Sequence, residues 1–239
     1  QNDFISDAGA TTVDGLNCPA GLYVHTDGRL FITDMYNHRV LIYNAIPSTN
    51  GKAADIVVGQ PDFTTNTSGL TANKLFQPST CTVSPDGKLL VCDASNNRVL
   101  VFNDIPATNG ASADVVIGQT DFVSNTSGCS QSAMYYMFGV TVSPDGKLAI
   151  GSFGNSRVLI YNSIPTENYA PADIVLGQPN FTSSTEFNGG ISDRSMSRPY
   201  TVNFDLNGRL FVNGRNMHRI MIYGDAPALS ADLALEFTN

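Results

Sequence analysis

A segment of 59 residues repeats four times along the chain, and this repeat constrains the fold more than any other feature. Each copy opens with a Gln-x-Asp-Phe or Gln-x-Asn-Phe motif, at Gln1, Gln60, Gln119 and Gln178. Each copy also contains an Arg followed by four apolar or aromatic residues, at Arg39, Arg98, Arg157 and Arg219. Self-similarity at a fixed period indicates an array of equal structural units. We divide the chain into repeats 1–59, 60–118, 119–177 and 178–239.

Four β-strands are predicted in each repeat. In the second repeat they cover 80–84, 88–92, 98–102 and 114–118. A Ser-Pro-Asp-Gly turn joins the first two strands, because Pro presets the turn and Gly87 accepts its left-handed position. The third strand is apolar at consecutive rather than alternating positions, so both of its faces must be covered. A single sheet leaves one face open, and neighbouring repeats are therefore predicted to stack face to face.

An all-β fold follows, since four-stranded antiparallel sheets stacked around an axis form a β-propeller. We predict a single domain over 1–239 with four blades, each of four antiparallel strands, and favour a closed ring. An open stack of sheets is the alternative. The 21 glycines and the charged fraction of only 14% suit many short strands joined by turns.

An Asp-x-x-Asn-x-Arg stretch at 34–39 and again at 93–98 resembles the NHL-repeat family. The whole repeat, with its Ile-Pro and Gly-Gln-Pro-Asp-Phe segments, is similar to the long bacterial form of that repeat. The motif changes in the third repeat, where Ser152 replaces Asp, and in the fourth, where Gly214 and Met217 replace Asp and Asn. The resemblance implies a propeller, most often six-bladed. Part of a larger ring and an assembly of open arrays therefore remain alternatives to a four-bladed ring.

The acidic balance of charges excludes several classes of partner. The formal net charge is −8, whereas binding to nucleic acid needs clustered Lys and Arg that displace counterions from phosphates. An acidic surface also disfavours anionic membranes. No apolar run in the sequence reaches the roughly 18 residues of a membrane span. We therefore predict neither a nucleic acid partner nor membrane insertion.

The recurring Asp, Asn and Arg residues lie on the face where propellers usually carry their sites, yet we predict a structural role for them. They recur in successive repeats, whereas a catalytic group is needed once. The alternative function is a metal-dependent hydrolase or lyase at the mouth of the channel, because carboxylates and Asn hold calcium in related propellers. Its candidate ligands are Asp34, His38, Asp93, Asn155 and His218. Calcium belongs to that alternative, and no cofactor is predicted for the favoured function.

Residues that break the repeat are the best candidates for a ligand site. The third repeat carries an aromatic run, Tyr-Tyr-Met-Phe at 135–138, and the fourth adds arginines in the loops beside it. Arg and aromatic side chains commonly anchor interfaces and anionic ligands. The candidate ligand-binding residues are Tyr135, Tyr136, Phe153, Arg194, Arg198 and Arg215. An alternative interpretation is that the aromatics fill the blade junction and the arginines neutralise nearby Asp residues.

The sequence contains no catalytic motif such as Gly-x-Ser-x-Gly, and this weak catalytic inventory favours a protein that is not an enzyme. We predict a secreted or cell-surface module, extracellular or periplasmic, that binds a ligand or serves as a structural or assembly scaffold. The expected partner is a protein, a glycan or a second copy of the chain.

The four cysteines, Cys18, Cys81, Cys92 and Cys129, form no Cys-x-x-Cys pair, so a zinc site is not predicted. Cys81 and Cys92 flank one hairpin turn, which leaves two interpretations open. They form a disulfide if the geometry brings the two thiols together. Otherwise they are two small apolar side chains in neighbouring strands.

Overall fold

The computed structural model describes residues 9–224 and, for the backbone only, residues 233–236. These residues form four antiparallel sheets of four strands each, and every sheet is ordered as its strands follow in the chain. Blade 1 contains β1 Pro19–Val24, β2 Leu30–Asp34, β3 Arg39–Tyr43 and β4 Ile56–Val58. Blade 2 contains β5 Pro78–Val83, β6 Leu89–Asp93, β7 Arg98–Phe102 and β8 Val115–Ile117.

The other two blades repeat this pattern. Blade 3 contains β9 Met137–Val142, β10 Leu148–Ser152, β11 Arg157–Tyr161 and β12 Ile174–Leu176. Blade 4 contains β13 Pro199–Phe204, β14 Leu210–Gly214, β15 Arg219–Tyr223 and β16 Leu233–Glu236. The predicted all-β propeller of four four-stranded antiparallel blades is thereby confirmed. In the part of the chain described, no helix has the length and hydropathy that crossing a membrane requires.

Both faces of the middle blades are covered, as the unbroken apolar third strand predicts. In β6, Leu90 and Cys92 pack into the core shared with blade 3, whereas Leu89 and Val91 pack into the core shared with blade 1. A third apolar core lies between blades 3 and 4. Alternate side chains of one strand thus pack into two different blade junctions. Both sets must be apolar, so the sequence of the strand is apolar at every position.

The first and fourth blades differ from this pattern, because among residues 9–224 each shares an extensive strand interface with only one neighbouring blade. Leu22 and Val24 of β1 are 67% and 48% exposed, whereas the equivalent residues of β5, Cys81 and Val83, are 3% and 4% exposed. Strand contacts comparable to those at the other three junctions are lacking between blades 1 and 4 within residues 9–224. The predicted closing junction is therefore not formed among these residues. The inner strands β1, β5, β9 and β13 line a central cavity of about 430 Å³.

The two cysteines that flank a hairpin turn do not form the disulfide considered from the sequence. In the β5–β6 register Cys81 pairs with Val91, and Cys92 pairs with Thr80. Residues one step apart in register point to opposite faces of a sheet. Cys81 accordingly packs toward blade 1 and Cys92 toward blade 3, and both thiols are free. They are the small apolar core residues of the second interpretation.

Candidate functional site

The Asp-Asn-Arg motif folds into a buried ion pair beside each of the first two blades. In blade 2 the Asp93 carboxylate accepts hydrogen bonds from the Phe76 backbone N–H at 2.6 Å, Asn96 Nδ2 at 2.8 Å and Arg98 Nε at 2.8 Å. Both partners of the Asp93–Arg98 ion pair are fully buried. The Asp34–Arg39 pair of blade 1 has the same distance and the same burial.

The two Nη atoms of Arg98 donate hydrogen bonds to the backbone of two loops. Arg98 Nη1 donates to the Phe122 carbonyl at 2.6 Å, and Nη2 donates to the carbonyls of Thr71 and Lys74 at 2.9 and 3.0 Å. Phe122 lies in the loop that enters the next blade, whereas Thr71 and Lys74 lie in the loop that enters the same blade. Arg98 therefore joins two successive entry loops, and the structural role predicted for this motif is confirmed.

The left-handed residue of this turn is not the motif Asn but the residue that follows it. Asn96 lies in a short 3₁₀ turn, and the next residue, Asn97, has a φ of +54°. The same position is left-handed in each blade, with φ between 48° and 54°, at His38, Asn97, Ser156 and His218. The motif Asn instead donates to the Asp carboxylate, as Asn37 does to Asp34 at 2.8 Å.

The left-handed residue links each blade to the next. His38 Nδ1 accepts from the Gln77 N–H at 3.2 Å, and Asn97 Oδ1 accepts from the Tyr136 N–H at 2.9 Å. Burial lowers the pKa of His38, so its neutral form, which can accept this bond, is favoured. The equivalent His218 of blade 4 is exposed.

The candidate metal ligands do not converge. Asp34 and Asp93 are each held by the arginine of their own blade, and His38 serves the junction with blade 2. His218 lies in blade 4, which has no extensive strand interface with blade 1 within the described ranges. Asn155 accepts from the Ser152 hydroxyl at 2.8 Å in blade 3. Across the described stretch of chain, no group of three His, Cys, Asp or Glu side chains is arranged to hold a metal ion.

Four of the six candidate ligand-binding residues do come together, on one surface over blades 3 and 4. We call the rings of Tyr135, Tyr136, Phe138, Phe153 and Tyr200 the aromatic surface. Phe138 stacks on Tyr200 with ring centroids 4.7 Å apart and an interplanar angle of 16°. Phe153 meets Phe138 edge to face at 5.1 Å, and Tyr136 meets Phe138 at 5.0 Å. Tyr135 and Tyr200 are about half exposed, whereas the three remaining rings are partly buried.

Arg198 lies over this aromatic surface. Its Cζ is 5.7 Å from the centroid of Phe153, and its Nε donates to Glu186 Oε1 at 2.7 Å. Hydrogen bonds from Ser197, Asn216 and Arg198 lower the pKa of Glu186. Arg198 and Glu186 help to line a cavity of about 240 Å³ together with Tyr135, Tyr136 and Phe153.

The other two candidate arginines occupy different places. Arg215 borders a second cavity of about 470 Å³ beside Tyr200 and Asn213, and its backbone N–H donates to the Arg198 carbonyl at 3.1 Å. Its side chain makes no hydrogen bond or ion pair with another described residue. Arg194 lies away from the aromatic surface, on a cavity of about 640 Å³ that it shares with Phe181.

Three members of this site were not among the candidates from the sequence: Phe138, Tyr200 and Glu186. A signal for Tyr200 exists in the repeat, because equivalent positions of the inner strands hold Ala20 and Ser79 in blades 1 and 2 but Phe138 and Tyr200 in blades 3 and 4. No such signal exists for Glu186, because its loop contains the insertion that breaks the repeat.

Comparison with a family model decides the repeat type. The NHL repeat model matches residues 16–43, which contain β1, β2 and β3 of blade 1. The chain carries an NHL repeat. Its β-propeller fold is consistent with the NHL-repeat family, and the NHL motif residues Asp34, Asn37 and Arg39 are those that form the buried ion pair. A search of curated proteins found no match to this chain.

Solved structures share the fold of this NHL propeller at low sequence identity. Kuenenia stuttgartiensis hydrazine synthase matches with a TM-score of 0.57 and 14% identity over 96% of this chain and 51% of its own. A streptogramin B lyase matches with a TM-score of 0.53 and 11% identity over 96% of this chain and 57% of its own.

A catalytically inactive virginiamycin B lyase from Staphylococcus aureus, with quinupristin, gives a TM-score of 0.53 and 13% identity over 97% and 59% of the two chains. The NHL chain thus spans between 51% and 59% of the length of these three structures. Similarity at such identities shows a shared fold alone.

Proposed function

We propose that this NHL propeller is a non-catalytic binding module whose ligand site is the aromatic surface together with Arg198 and Arg215. The single observation that carries the proposal is the clustering of five aromatic rings and two arginines over blades 3 and 4. Blades 1 and 2 place small residues, Ala20 and Ser79, where this surface has Phe138 and Tyr200. A feature that blade packing alone required would recur in every blade.

The surface combines the two properties of an interaction hot spot. Tyr135 and Tyr200 leave about half of their area exposed, yet their neighbours Phe138 and Phe153 hold them in a fixed cluster. Rigid aromatic side chains lose little conformational entropy on binding, which makes them effective anchors. Arg215 adds an exposed positive charge on an acidic protein.

The chemistry favours a protein ligand that presents an apolar side chain next to a carboxylate. The apolar group would pack on Phe138 and Tyr200, and the carboxylate would pair with Arg215, whose side chain has no partner among the described residues. Arg198 is already paired with Glu186 at 2.7 Å and would contribute its planar face rather than its charge. The lyase and synthase activities of the fold neighbours are not transferred, because similarity at 11–14% identity shows a shared fold alone.

Selection of binders from a displayed peptide library tests the proposal. Peptides selected on the wild-type protein should lose at least about tenfold in affinity for Tyr200→Ala and Arg215→Ala, as substitution of hot-spot residues does. Tyr36→Ala is the matched control, because Tyr36 is 50% exposed at the same end of blade 1. The proposal is wrong if the selected peptides bind Tyr200→Ala as tightly as the wild type, or if only glycans on an array bind.

We also propose that the module acts outside the cell or at its surface and that binding needs no metal. The acidic charge and the Asn-, Thr- and Ser-rich entry loops support an exposed location. Cell fractionation tests the location, and recovery in the cytoplasm alone contradicts it. Metal analysis of the purified protein, with binding measured before and after chelation, tests the second point. Stoichiometric calcium or zinc together with loss of binding would favour the metal-dependent alternative.

A further inference from the structure

Blade 3 keeps the donors of the buried Asp-Arg site but lacks its carboxylate. In blade 2 a backbone N–H, Asn96 Nδ2 and Arg98 Nε all donate to the Asp93 carboxylate. In blade 3 the equivalents of the three donors are the Tyr135 N–H, Asn155 and Arg157, and the carboxylate position holds Ser152. The serine hydroxyl bears no charge and reaches less far than a carboxylate.

The consequence is a buried cation whose Nε has no protein acceptor. Arg157 is fully buried, and its Nε has no hydrogen-bond partner among the described residues. In blade 2 the Phe76 N–H lies 2.6 Å from the Asp93 carboxylate. Its equivalent in blade 3, the Tyr135 N–H, lies 3.3 Å from Ser152 Oγ. Ser152 is itself fully buried and Asn155 is 5% exposed, so the position of the missing carboxylate is closed to bulk solvent.

The remainder of the Arg157 guanidinium is held as in the other blades. Nη1 donates to the Phe181 carbonyl, and Nη2 donates to the carbonyls of Ser130 and Ala133, at 2.8 Å each. The side chain is thus fixed in its usual place with Nε aimed at the missing carboxylate. Carbonyl oxygens satisfy hydrogen bonds but supply no counter-charge, and a buried charge without one is costly.

In blade 4 the Nε of Arg219 likewise has no hydrogen-bond partner among the described residues, but the position of the missing carboxylate is filled. Gly214 stands at the Asp position there, and the Ser197 carbonyl occupies the space where a side chain of residue 214 would begin. Met217 replaces the Asn donor. Backbone therefore fills the space in blade 4, whereas blade 3 retains a Cβ at the same position and keeps the donors around it.

We propose that blade 3 binds a small monovalent anion, a halide such as chloride, between Arg157 Nε, the Tyr135 N–H and Ser152. The halide replaces the carboxylate that blades 1 and 2 carry in their own side chains. Ser152 Oγ, which donates to Asn155 Oδ1 at 2.8 Å, turns to donate to the anion. Rotation of the Asn155 amide then presents Nδ2 to the same anion, so all three donor positions of blade 2 are used again.

Burial raises the pKa of Tyr161, which leaves Cys129 as the competing source of negative charge near Arg157. It lies close enough to Arg157 to interact with its charge, but its Sγ donates to the Ser183 carbonyl at 3.4 Å and the Phe181 carbonyl at 3.7 Å. Its single S–H is shared between these two carbonyl oxygens, which lie in the loop that enters blade 4. The variant Cys129→Ala should therefore keep the anion dependence described next.

Thermal unfolding at constant ionic strength measures the anion site, with sodium chloride replacing sodium gluconate. The wild-type Tm should rise by about 3–5 °C for each tenfold increase in chloride above the Kd. Ser152→Asp supplies the carboxylate and should abolish this dependence, while unfolding at a higher Tm than the wild type without chloride. Asp93→Ser is the matched converse, because it gives blade 2 the residue of blade 3 and should add a second, steeper chloride dependence.

Anomalous diffraction from wild-type crystals grown in sodium bromide gives the location of the anion. A bromide peak beside Arg157 Nε, together with a chloride-dependent Tm, supports the proposal. A bromide peak together with a Tm that does not change with chloride means binding at crystal concentration only and overturns the proposal. The lack of a bromide peak also overturns it. Chloride dependence that persists in Ser152→Asp also overturns it. If Asp93→Ser fails to fold, the bromide peak and the Ser152→Asp comparison still decide.

Discussion

At the scale of single residues, the buried charged side chains stabilise the propeller fold. Asp93 and Arg98 form an ion pair removed from water, and each uses its hydrogen bonds to hold loops and turns. Tyr200 and Arg215, in contrast, are exposed, and neither side chain takes part in a buried ion pair among the described residues. Burial and pairing therefore separate structural from candidate functional residues more clearly than residue type does.

Asp93→Ala should destabilise the protein by about 3–5 kcal/mol, because it leaves the buried Arg98 charge uncompensated. Urea unfolding followed by circular dichroism measures the change. Ser152→Ala in blade 3 is the matched control, since it removes a side chain at the same repeat position without breaking an ion pair, and should cost only about 1 kcal/mol. Equal losses for the two variants would contradict the structural role of the pair.

The cysteines should differ sharply in reactivity toward a thiol reagent such as Ellman's reagent. Burial raises the pKa of Cys81 to about 12 and also raises the pKa of Cys92, so neither forms the reactive thiolate. Cys18 is exposed and Cys129 is half-buried. In the folded protein Cys18 should react fast and Cys129 slowly, and the other two should react only in denaturant. Fast reaction of Cys81 or Cys92 would contradict their placement in the two cores.

Residue roles could be predicted from the sequence only where two side chains of complementary chemistry recur at the same spacing in successive repeats. The pairing of Asp with Arg follows from opposite charges at a fixed spacing in repeats 1 and 2. The left-handed position could not be read from residue preference, because Asn stands at both 96 and 97 and only Asn97 takes that conformation. The conformation is set instead by the hydrogen bond from the Asn97 N–H to the Ala94 carbonyl, which closes the 3₁₀ turn.

At the scale of the elements, the hairpin turn between the first two strands of each blade depends on a glycine. Gly87 has a φ of +89°, and a Cβ added to it would meet no atom within 4 Å. Gly87→Ala should therefore cost about 1–2 kcal/mol through backbone conformation alone. Gly190→Ala is the control, because Gly190 is equally open but extended, with a φ of 176°. Denaturant unfolding should find it neutral or slightly stabilised, and an equal loss in both variants would contradict this argument.

Strand order and turn chemistry were predictable, whereas strand ends were not. The first strand of blade 2 begins at Pro78 rather than residue 80, because a β-bulge between Pro78 and Thr80 lets pairing with β6 continue. The last strand is only Val115–Ile117, shorter than predicted. Bulges and edge pairing depend on the backbone of the neighbouring strand, which a single strand's sequence does not contain.

At the scale of the whole molecule, the sequence could predict that blades stack but not how the array ends. Every repeat carries apolar residues on both faces of its sheet. The sequence of a repeat therefore does not show whether a neighbouring blade covers each of those faces. Curvature of the array follows from a small rotation between units that no single repeat encodes. The exposure of Leu22 and Val24, compared with Cys81 and Val83, became visible only in the folded chain.

Hydrogen exchange followed by mass spectrometry should show the difference between middle and end blades. β7 of blade 2 is covered on both faces, and its Val99 is fully buried, whereas the equivalent Ile220 in β15 of blade 4 is only partly buried. Because amides open locally where fewer apolar contacts must be broken, β15 should exchange at least about tenfold faster than β7. β11 of blade 3 is the internal control, since it has a neighbour on each side and should exchange as slowly as β7. Equal protection of β15 and β7 would mean that blade 4 is supported on its second face after all.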